Sequence, residues 1–171
     1  MKKWLLITIL ALFISPLYAN DIYVTQSGDD LDLDITQDGQ NNVAGTSQTA
    51  IGLTGDTMTF SISQVGNTNV VSTIINGDTY AGNINLTGSS NNVALLCSSG
   101  GAGNCETVSM SIDVTGSSAD IDVTIGNSAA ATNYVGTIDI TSTNDETFTL
   151  TANAANADAD IDITNNAQGS S

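Results

Sequence analysis

The sequence predicts an all-β chain folded as a two-layer parallel β-solenoid of about five to six stacked strand–turn–strand repeats. Three observations lead to this fold class. Apolar and polar residues alternate in short runs, as they do in strands with one buried face. These runs recur about once every 25 residues, a period that suits one solenoid coil better than a domain. No proline follows Pro16, so every later backbone N–H can join a sheet.

Residues 1–19 have the pattern of a secretory signal peptide. Lys2 and Lys3 supply the charged start, residues 4–14 are largely apolar, and cleavage is predicted after Ala19. The apolar run is too short to span a bilayer comfortably. We therefore predict that residues 20–171 form one exported, extracellular β-solenoid domain.

The exported part is predicted to be strongly acidic. The two cationic residues, Lys2 and Lys3, lie in the signal segment, whereas all 18 acidic residues follow it and histidine is absent. Nucleic-acid phosphates and anionic lipids attract proteins mainly through Lys and Arg, so nucleic acid and membrane insertion are excluded as partners. The polar composition leaves disorder of the isolated monomer open, but regular β-branched alternation argues against permanent disorder.

Six alternating tetrads mark the first strand of each predicted coil. In chain order they are Leu33-Asp34-Ile35-Thr36, Phe60-Ser61-Ile62-Ser63, Ile84-Asn85-Leu86-Thr87, Ile112-Asp113-Val114-Thr115, Ile138-Asp139-Ile140-Thr141 and Ile161-Asp162-Ile163-Thr164. Each tetrad closes on a hydroxyl residue, and these closing residues are predicted to align from coil to coil. The apolar members of each tetrad are predicted to face the interior.

Each tetrad leads through a turn rich in Gly, Asn, Ser and Asp into a second strand. These strands are predicted to begin at Val43, Val70, Val93, Ile121 and Phe148. Variable connectors, such as residues 76–82 and 126–136, then return the chain to the next tetrad. The interior residues expected from this second layer are Ala44, Val71, Ile121, Val123, Phe148 and Leu150.

Residues 37–48 carry the most specific motif. Gln37, Gly39, Asn42, Ala44 and Gln48 follow the pattern Gln-x-Gly-x-x-Asn-x-Ala-x-x-x-Gln, and a partial copy runs through Gln64, Gly66, Asn69, Val71 and Ile75. This pattern resembles the curlin repeat of bacterial curli fibres. The resemblance implies a subunit of an amyloid-like surface fibre that acts in cell adhesion and biofilm matrix. Its implied partners are further copies of itself, a nucleator subunit and an outer-membrane export pore.

Polar ladders are predicted at the turns of the first two coils. Side-chain amides at equivalent positions can stack and bond to the coil above or below. The residues placed in these ladders are Gln37, Asn42, Gln48, Gln64 and Asn69.

Cys97 and Cys105 flank a glycine-rich loop. In an exported chain, two cysteines this close are predicted to form a disulfide. A metal site would require more Cys or His nearby.

Enzymatic activity is not predicted. The chain offers carboxylate pairs and three tyrosines as candidate catalytic groups, namely Asp32 with Asp34, Asp120 with Asp122, Asp160 with Asp162, and Tyr23, Tyr80 and Tyr134. Paired carboxylates can cleave glycosides. Residues two apart on a strand share one face, however, so these pairs are interpreted as a solvated exterior.

The alternative function is a stand-alone acidic β-solenoid that binds calcium, ice or a surface glycan. One tetrad slot carries four aspartates, Asp34, Asp113, Asp139 and Asp162, whose outward faces are expected to align. No calcium motif is present, so no cofactor is predicted beyond non-specific divalent cations. The threonines that recur once per coil, as on ice-binding faces, are Thr36, Thr87, Thr115, Thr141 and Thr164.

Overall fold

The computed structural model describes residues 20–46, 48–97, 105–126 and 131–165. The predicted signal segment, residues 1–19, lies outside the described residues. The strands are β1 (Asn20–Ile22), β2 (Thr25–Ser27), β3 (Asp32–Asp38), β4 (Asn42–Ala44), β5 (Ile51–Thr54), β6 (Met58–Asn76), β7 (Thr79–Cys97), β8 (Thr107–Ile125), β9 (Ala131–Ser142), β10 (Glu146–Ala152) and β11 (Ala154–Asn165). The described residues contain no helix long and apolar enough to cross a membrane.

All of the strand pairs are parallel, and the stacked coils form the predicted β-solenoid. The first layer stacks β3, residues 58–66, 79–88 and 107–116, then β9 and β11. The second layer stacks β1 with β2, β4 with β5, residues 68–76, 90–97 and 118–125, then β10. The strands β6, β7 and β8 each run through both layers and bend near a glycine.

The register confirms four of the five predicted alignments between tetrads and corrects one. Ile62 of β6 pairs with Ile84 of β7, whereas the tetrads had placed it opposite Leu86. The tetrad ending at Ser63 was therefore aligned two positions away from its true place relative to the tetrad ending at Thr87. A slip of two positions keeps every side chain on its face, so alternation alone could not detect it.

An isoleucine column runs through the first layer. Its members, in stacking order, are Ile35, Ile62, Ile84, Ile112, Ile138 and Ile161. The first five are buried, whereas Ile161 in the last coil is exposed. Facing them, the predicted second-layer residues Ala44, Val71, Ile121 and Val123 are buried, and Phe148 and Leu150 pack partly buried against the same core.

The return connectors are shorter than predicted. β7 begins at Thr79 and β9 at Ala131, so parts of the segments 76–82 and 126–136 are strand. Tyr80 and Tyr134 lie in these parts, and both are buried. They stack with Met58 and Val108 in one column that the tetrad pattern does not include.

Cys97 and Cys105 lie at disulfide distance, with Cα atoms 6.0 Å apart, as predicted. They stand at the base of an insertion. The coil that runs from Tyr80 to its strand partner Val108 contains more residues than the preceding coil, which runs from Met58 to its partner Tyr80. The pair therefore joins the end of β7 to the residue that leads into β8 and closes the chain around the inserted segment. A bond closing so short a loop contributes about 2–3 kcal/mol.

Candidate functional site: the polar ladders and the coil ends

The structure brings most of the predicted motif residues together at one bend of the solenoid. Gln37, Asn42, Gln64 and Asn69 point inward and are buried, although their side chains are polar. They line the bend where each coil passes from the first layer to the second. Buried amides require partners, so their hydrogen bonds determine how this bend is built.

Four asparagines form a continuous ladder along the bend. Asn20 Nδ2 donates to Asn42 Oδ1 at 2.9 Å, Asn42 Nδ2 to Asn69 Oδ1 at 3.3 Å, and Asn69 Nδ2 to Asn91 Oδ1 at 2.9 Å. Each donor points toward the following coil. Asn91 then donates to the carbonyls of Gly88 and Thr115, and Ala119 takes the next place in the column. The ladder thus links the leading half coil of β1 and β2 to the first three full coils and stops before the fourth.

Gln37 and Gln64 form a shorter ladder beside it. Gln64 Nε2 donates to Gln37 Oε1 at 2.5 Å and to the carbonyl of Val70 at 3.3 Å. Gln37 Nε2 donates to the carbonyls of Asn20 and Val43. Leu86 takes the next place in this column, and Gln64 Oε1 has no hydrogen-bond partner among the described residues.

Gly66 and Gly88 show why the bend requires glycine. A Cβ at Gly66 would lie 2.4 Å from the carbonyl oxygen of Gly39 and 2.8 Å from Asn42 Nδ2. A Cβ at Gly88 would lie 2.3 Å from the carbonyl oxygen of Gly66 and 2.6 Å from Asn69 Nδ2. The glycine of each coil therefore makes room for the backbone and the ladder asparagine of the coil before it.

Gln48 does not join the ladders. It is exposed and follows β4, which ends at Ala44. Ala44 pairs with Val71, and Ile51 pairs with Thr73. Val71 and Thr73 have only Ser72 between them, whereas Ala44 and Ile51 have the whole segment 45–50 between them. This excess makes the first coil longer than the second. The stacking role predicted for Gln48 assumed an uninterrupted strand, whereas β4 ends four residues before it.

Two ladder members, Asn20 and Asn91, were absent from the predicted set. Asn91 could have been found, because Gly39-x-x-Asn42 and Gly66-x-x-Asn69 are followed by Gly88-x-x-Asn91 with the same spacing. Asn20 carries no such signal, since its coil begins in the second layer.

The outer face differs from the predicted row of aspartates. Asp113, Asp139 and Asp162 do stack in successive coils. Asp34 lies one column away, aligned with Ser61 and, in the last coil, with Asp160. The threonine column is likewise shorter than predicted. Thr87, Thr115, Thr141 and Thr164 align, but Thr87 pairs with Val65, so Thr36 and its predicted partner Ser63 lie in the neighbouring column.

The candidate catalytic groups fall into two environments. The paired aspartates are exposed on the outer faces, in the strands β3, β8 and β11. Tyr80 and Tyr134 are buried, and neither hydroxyl has a hydrogen-bond partner among the described residues. Within those residues, no three Asp, Glu, Cys or His side chains are grouped so as to hold a metal ion.

No protein-family model, curated protein or solved structure matches this chain. The similarity to curlin repeats therefore rests on the motif residues of the first two coils.

Tyr80 makes stability sensitive to alkali. Burial raises its pKa well above the ordinary value, so above about pH 10 an unfolded tyrosine loses its proton while the folded one keeps it. Stability is therefore fully present below about pH 10 and declines as pH rises beyond it. We expect Tyr80→Phe to weaken this decline, and to be neutral or stabilising at pH 8 because it removes an unpartnered hydroxyl.

Urea denaturation at pH 8 and pH 11 measures this effect. The control is Tyr23→Phe, since Tyr23 is 51% exposed and should change neither value. An equal alkaline loss in the wild type and Tyr80→Phe would show that this hydroxyl reaches water in the folded state.

Proposed function

We propose that this chain is the secreted structural subunit of an amyloid-like surface fibre, in which copies stack end to end. The observation that carries the proposal is the state of the last coil. Ile161 and Ile163 in β11 are each 41% exposed, whereas Ile138 and Ile140, which occupy the same columns one coil earlier, are fully buried. The end of the solenoid therefore presents core positions without the cover that every inner coil receives.

The backbone supports the same interpretation. β3 pairs with β6 and β11 with β9, so each of these strands pairs on one edge within the described part of the chain. An edge strand offers unpaired N–H and C=O groups that another chain can satisfy. Parallel stacking at about 4.8 Å per coil is the cross-β arrangement of amyloid. A second copy that pairs with an edge strand therefore continues the parallel stacking of coils already present within each copy.

The curlin resemblance adds the biological setting to this proposal. Adhesion and biofilm matrix are the roles proposed for the fibre, and a nucleator subunit and an export pore are its proposed partners. Extracellular localisation follows from the signal-like residues 1–19 and is part of the same proposal.

The test is polymerisation of the purified chain from Asn20 onward, with the full chain alongside. We expect unbranched fibres in negative-stain micrographs and a meridional reflection at about 4.8 Å in fibre diffraction. The variant Ile161→Asn should raise the soluble concentration left at equilibrium, because it places an amide in the buried centre of the joint. Val65→Asn is the matched control, since Val65 is 48% exposed in the inner strand β6.

A chain that stays monomeric at high concentration across a range of salt would contradict the fibre proposal. Equal effects of Ile161→Asn and Val65→Asn would show that fibres form without the coil ends.

A further inference from the structure

The acidic residues of the first layer are concentrated at its two ends. β3 carries Asp32, Asp34 and Asp38, and β11 carries Asp158, Asp160 and Asp162. Between them, β6 and β7 contain no Asp or Glu along their whole length. The first layer of β8 and β9 adds Asp113 and Asp139, and β3 and β11 stand five strand spacings apart, about 24 Å, so repulsion between these two strands is small in the monomer.

Stacking of two copies brings these end strands together. The isoleucine column occupies the same place in all six coils, so its continuation places Ile161 of one copy beside Ile35 of the next. In the second layer, the column of Ala44, Val71, Val93, Ile121 and Phe148 begins with Ile22, which pairs with Ala44. The same register therefore places Phe148 beside Ile22 of the next copy, and apolar residues meet in both layers.

On the outer face, the same register pairs like charges. Asp158 comes beside Asp32 of the next copy, and Asp160 beside its Asp34. Around these groups inside the chain lie Val135 and Thr137 on β9 and Thr59 and Ser61 on β6. Thr59 Oγ1 donates to Asp32 Oδ1 at 2.7 Å, and the residues directly paired with the other three carboxylates, Ser61, Val135 and Thr137, are uncharged. Lys2 and Lys3 are the chain's two basic residues and lie outside the described part, so no described cation offsets the four carboxylates.

This repulsion does not depend on the choice of register. Moving the joint by two positions in one direction pairs Asp160 with Asp32 and Asp162 with Asp34. Moving it by two in the other direction pairs Asp158 with Asp34 and Asp162 with Asp38. Alternate aspartates on both edge strands therefore meet in every nearby register that keeps apolar residues inside.

We infer that copies of this chain add head to tail, β11 against β3 of the next copy, and that repulsion between their aspartates sets the concentration at which the joint closes. This inference rests on the proposed fibre function and specifies its interface and its regulation. Charged edge strands are a common protection against uncontrolled pairing. Here they hold subunits apart at low ionic strength, and counter-ions that screen the carboxylates permit addition.

The test compares the soluble concentration left in equilibrium with fibres for four proteins. They are the wild type, the end pair Asp158→Asn with Asp160→Asn, a quadruple variant that adds Asp32→Asn and Asp34→Asn, and the control pair Asp113→Asn with Asp139→Asn. The control removes the same charge from exposed positions of inner strands. Circular dichroism and thermal melts of each monomer establish that the exposed substitutions leave the fold intact.

At low salt, the end pair should lower the soluble concentration about tenfold. The repulsion of two carboxylate pairs at strand spacing in water corresponds to a factor of about that size in the equilibrium constant for addition. High salt should shrink this difference. The quadruple variant should gain little over the end pair, since removing one partner already abolishes each repulsion. The control pair should match the wild type.

Two outcomes would overturn the inference in different ways. Equal lowering by the end pair and the control pair would show that net charge alone governs assembly, and the fibre proposal would stand without this joint. Absence of fibres from all four proteins at every salt concentration would remove the fibre proposal and the inference together.

Discussion

Replacing Gly88 by alanine should destabilise the solenoid by about 2–3 kcal/mol, the upper range for overpacking a well-packed interior. The added Cβ would lie 2.3 Å from the carbonyl oxygen of Gly66 and 2.6 Å from Asn69 Nδ2. The first contact is with the backbone of Gly66, which is paired with Gly88 itself, and the second is with a ladder amide fixed by its own hydrogen bond. Neither neighbour can move without disturbing a second coil.

Gly52→Ala is the matched control for this substitution. Gly52 also lies in a strand, but a Cβ there would meet only Thr25 Cγ2, at 4.0 Å, which is ordinary contact. Alanine should be neutral or slightly stabilising at this position, because it reduces the entropy of the unfolded chain. Urea denaturation followed by far-UV circular dichroism measures both variants. Similar stabilities for the two would mean that the bend is looser than these distances indicate.

The sequence predicted the fold class, the alternation of the two layers and most of the core. It succeeded because inward and outward residues of a strand alternate strictly, and because a period of about 25 residues recurs along the chain. It failed at the register between β6 and β7, where the closing residues Ser63 and Thr87 were aligned although Thr87 pairs with Val65. Hydroxyl residues on the outer face are interchangeable, so they contain little register information.

The features that do fix the register are glycine and asparagine at the bend. Gly66 pairs with Gly88 and Asn69 with Asn91, and the two pairs are separated by the same interval in the chain. Aligning the chain on Gly-x-x-Asn would have given this register directly. The insertions could not be located in this way. The segment 45–50 and the loop between Cys97 and Cys105 lengthen their coils, but the strands on either side keep the same alternation of apolar and polar residues.

The ladder also has a different role from the one the motif suggested. It runs from Asn20 to Asn91 within one chain, and Ala119 and Glu146 occupy the remaining places in its column. Its hydrogen bonds therefore hold the leading half coil and the first three full coils together, and the ladder does not extend to β10 at the far end. Coil cohesion and subunit addition are thus assigned to different residues: amides at the bend for the first, and the ends of the solenoid for the second.

Asn69→Asp should be the most damaging single substitution in this ladder, at about 4 kcal/mol, because it buries a charge without a cationic partner. Asn69 is fully buried between Asn42 and Asn91. The oxygen that already accepts from Asn42 would keep its donor. The oxygen that replaces Nδ2 would face Asn91 Oδ1 across 2.9 Å, so two acceptors would meet where a donor and an acceptor meet now. The described residues include no Lys, Arg or His, so no cation offsets the buried charge.

Asn83→Asp is the control that isolates burial from charge. Asn83 lies in β7, one coil after β6, and its side chain is exposed on the outer face of the first layer. Both substitutions add one negative charge to a strand that carries none, and both keep the size of the side chain. Urea denaturation should show a large loss for Asn69→Asp and little change for Asn83→Asp. A comparable loss in both would mean that the accumulated charge of the coils, rather than the hydrogen bonds at the bend, limits the stability of this solenoid.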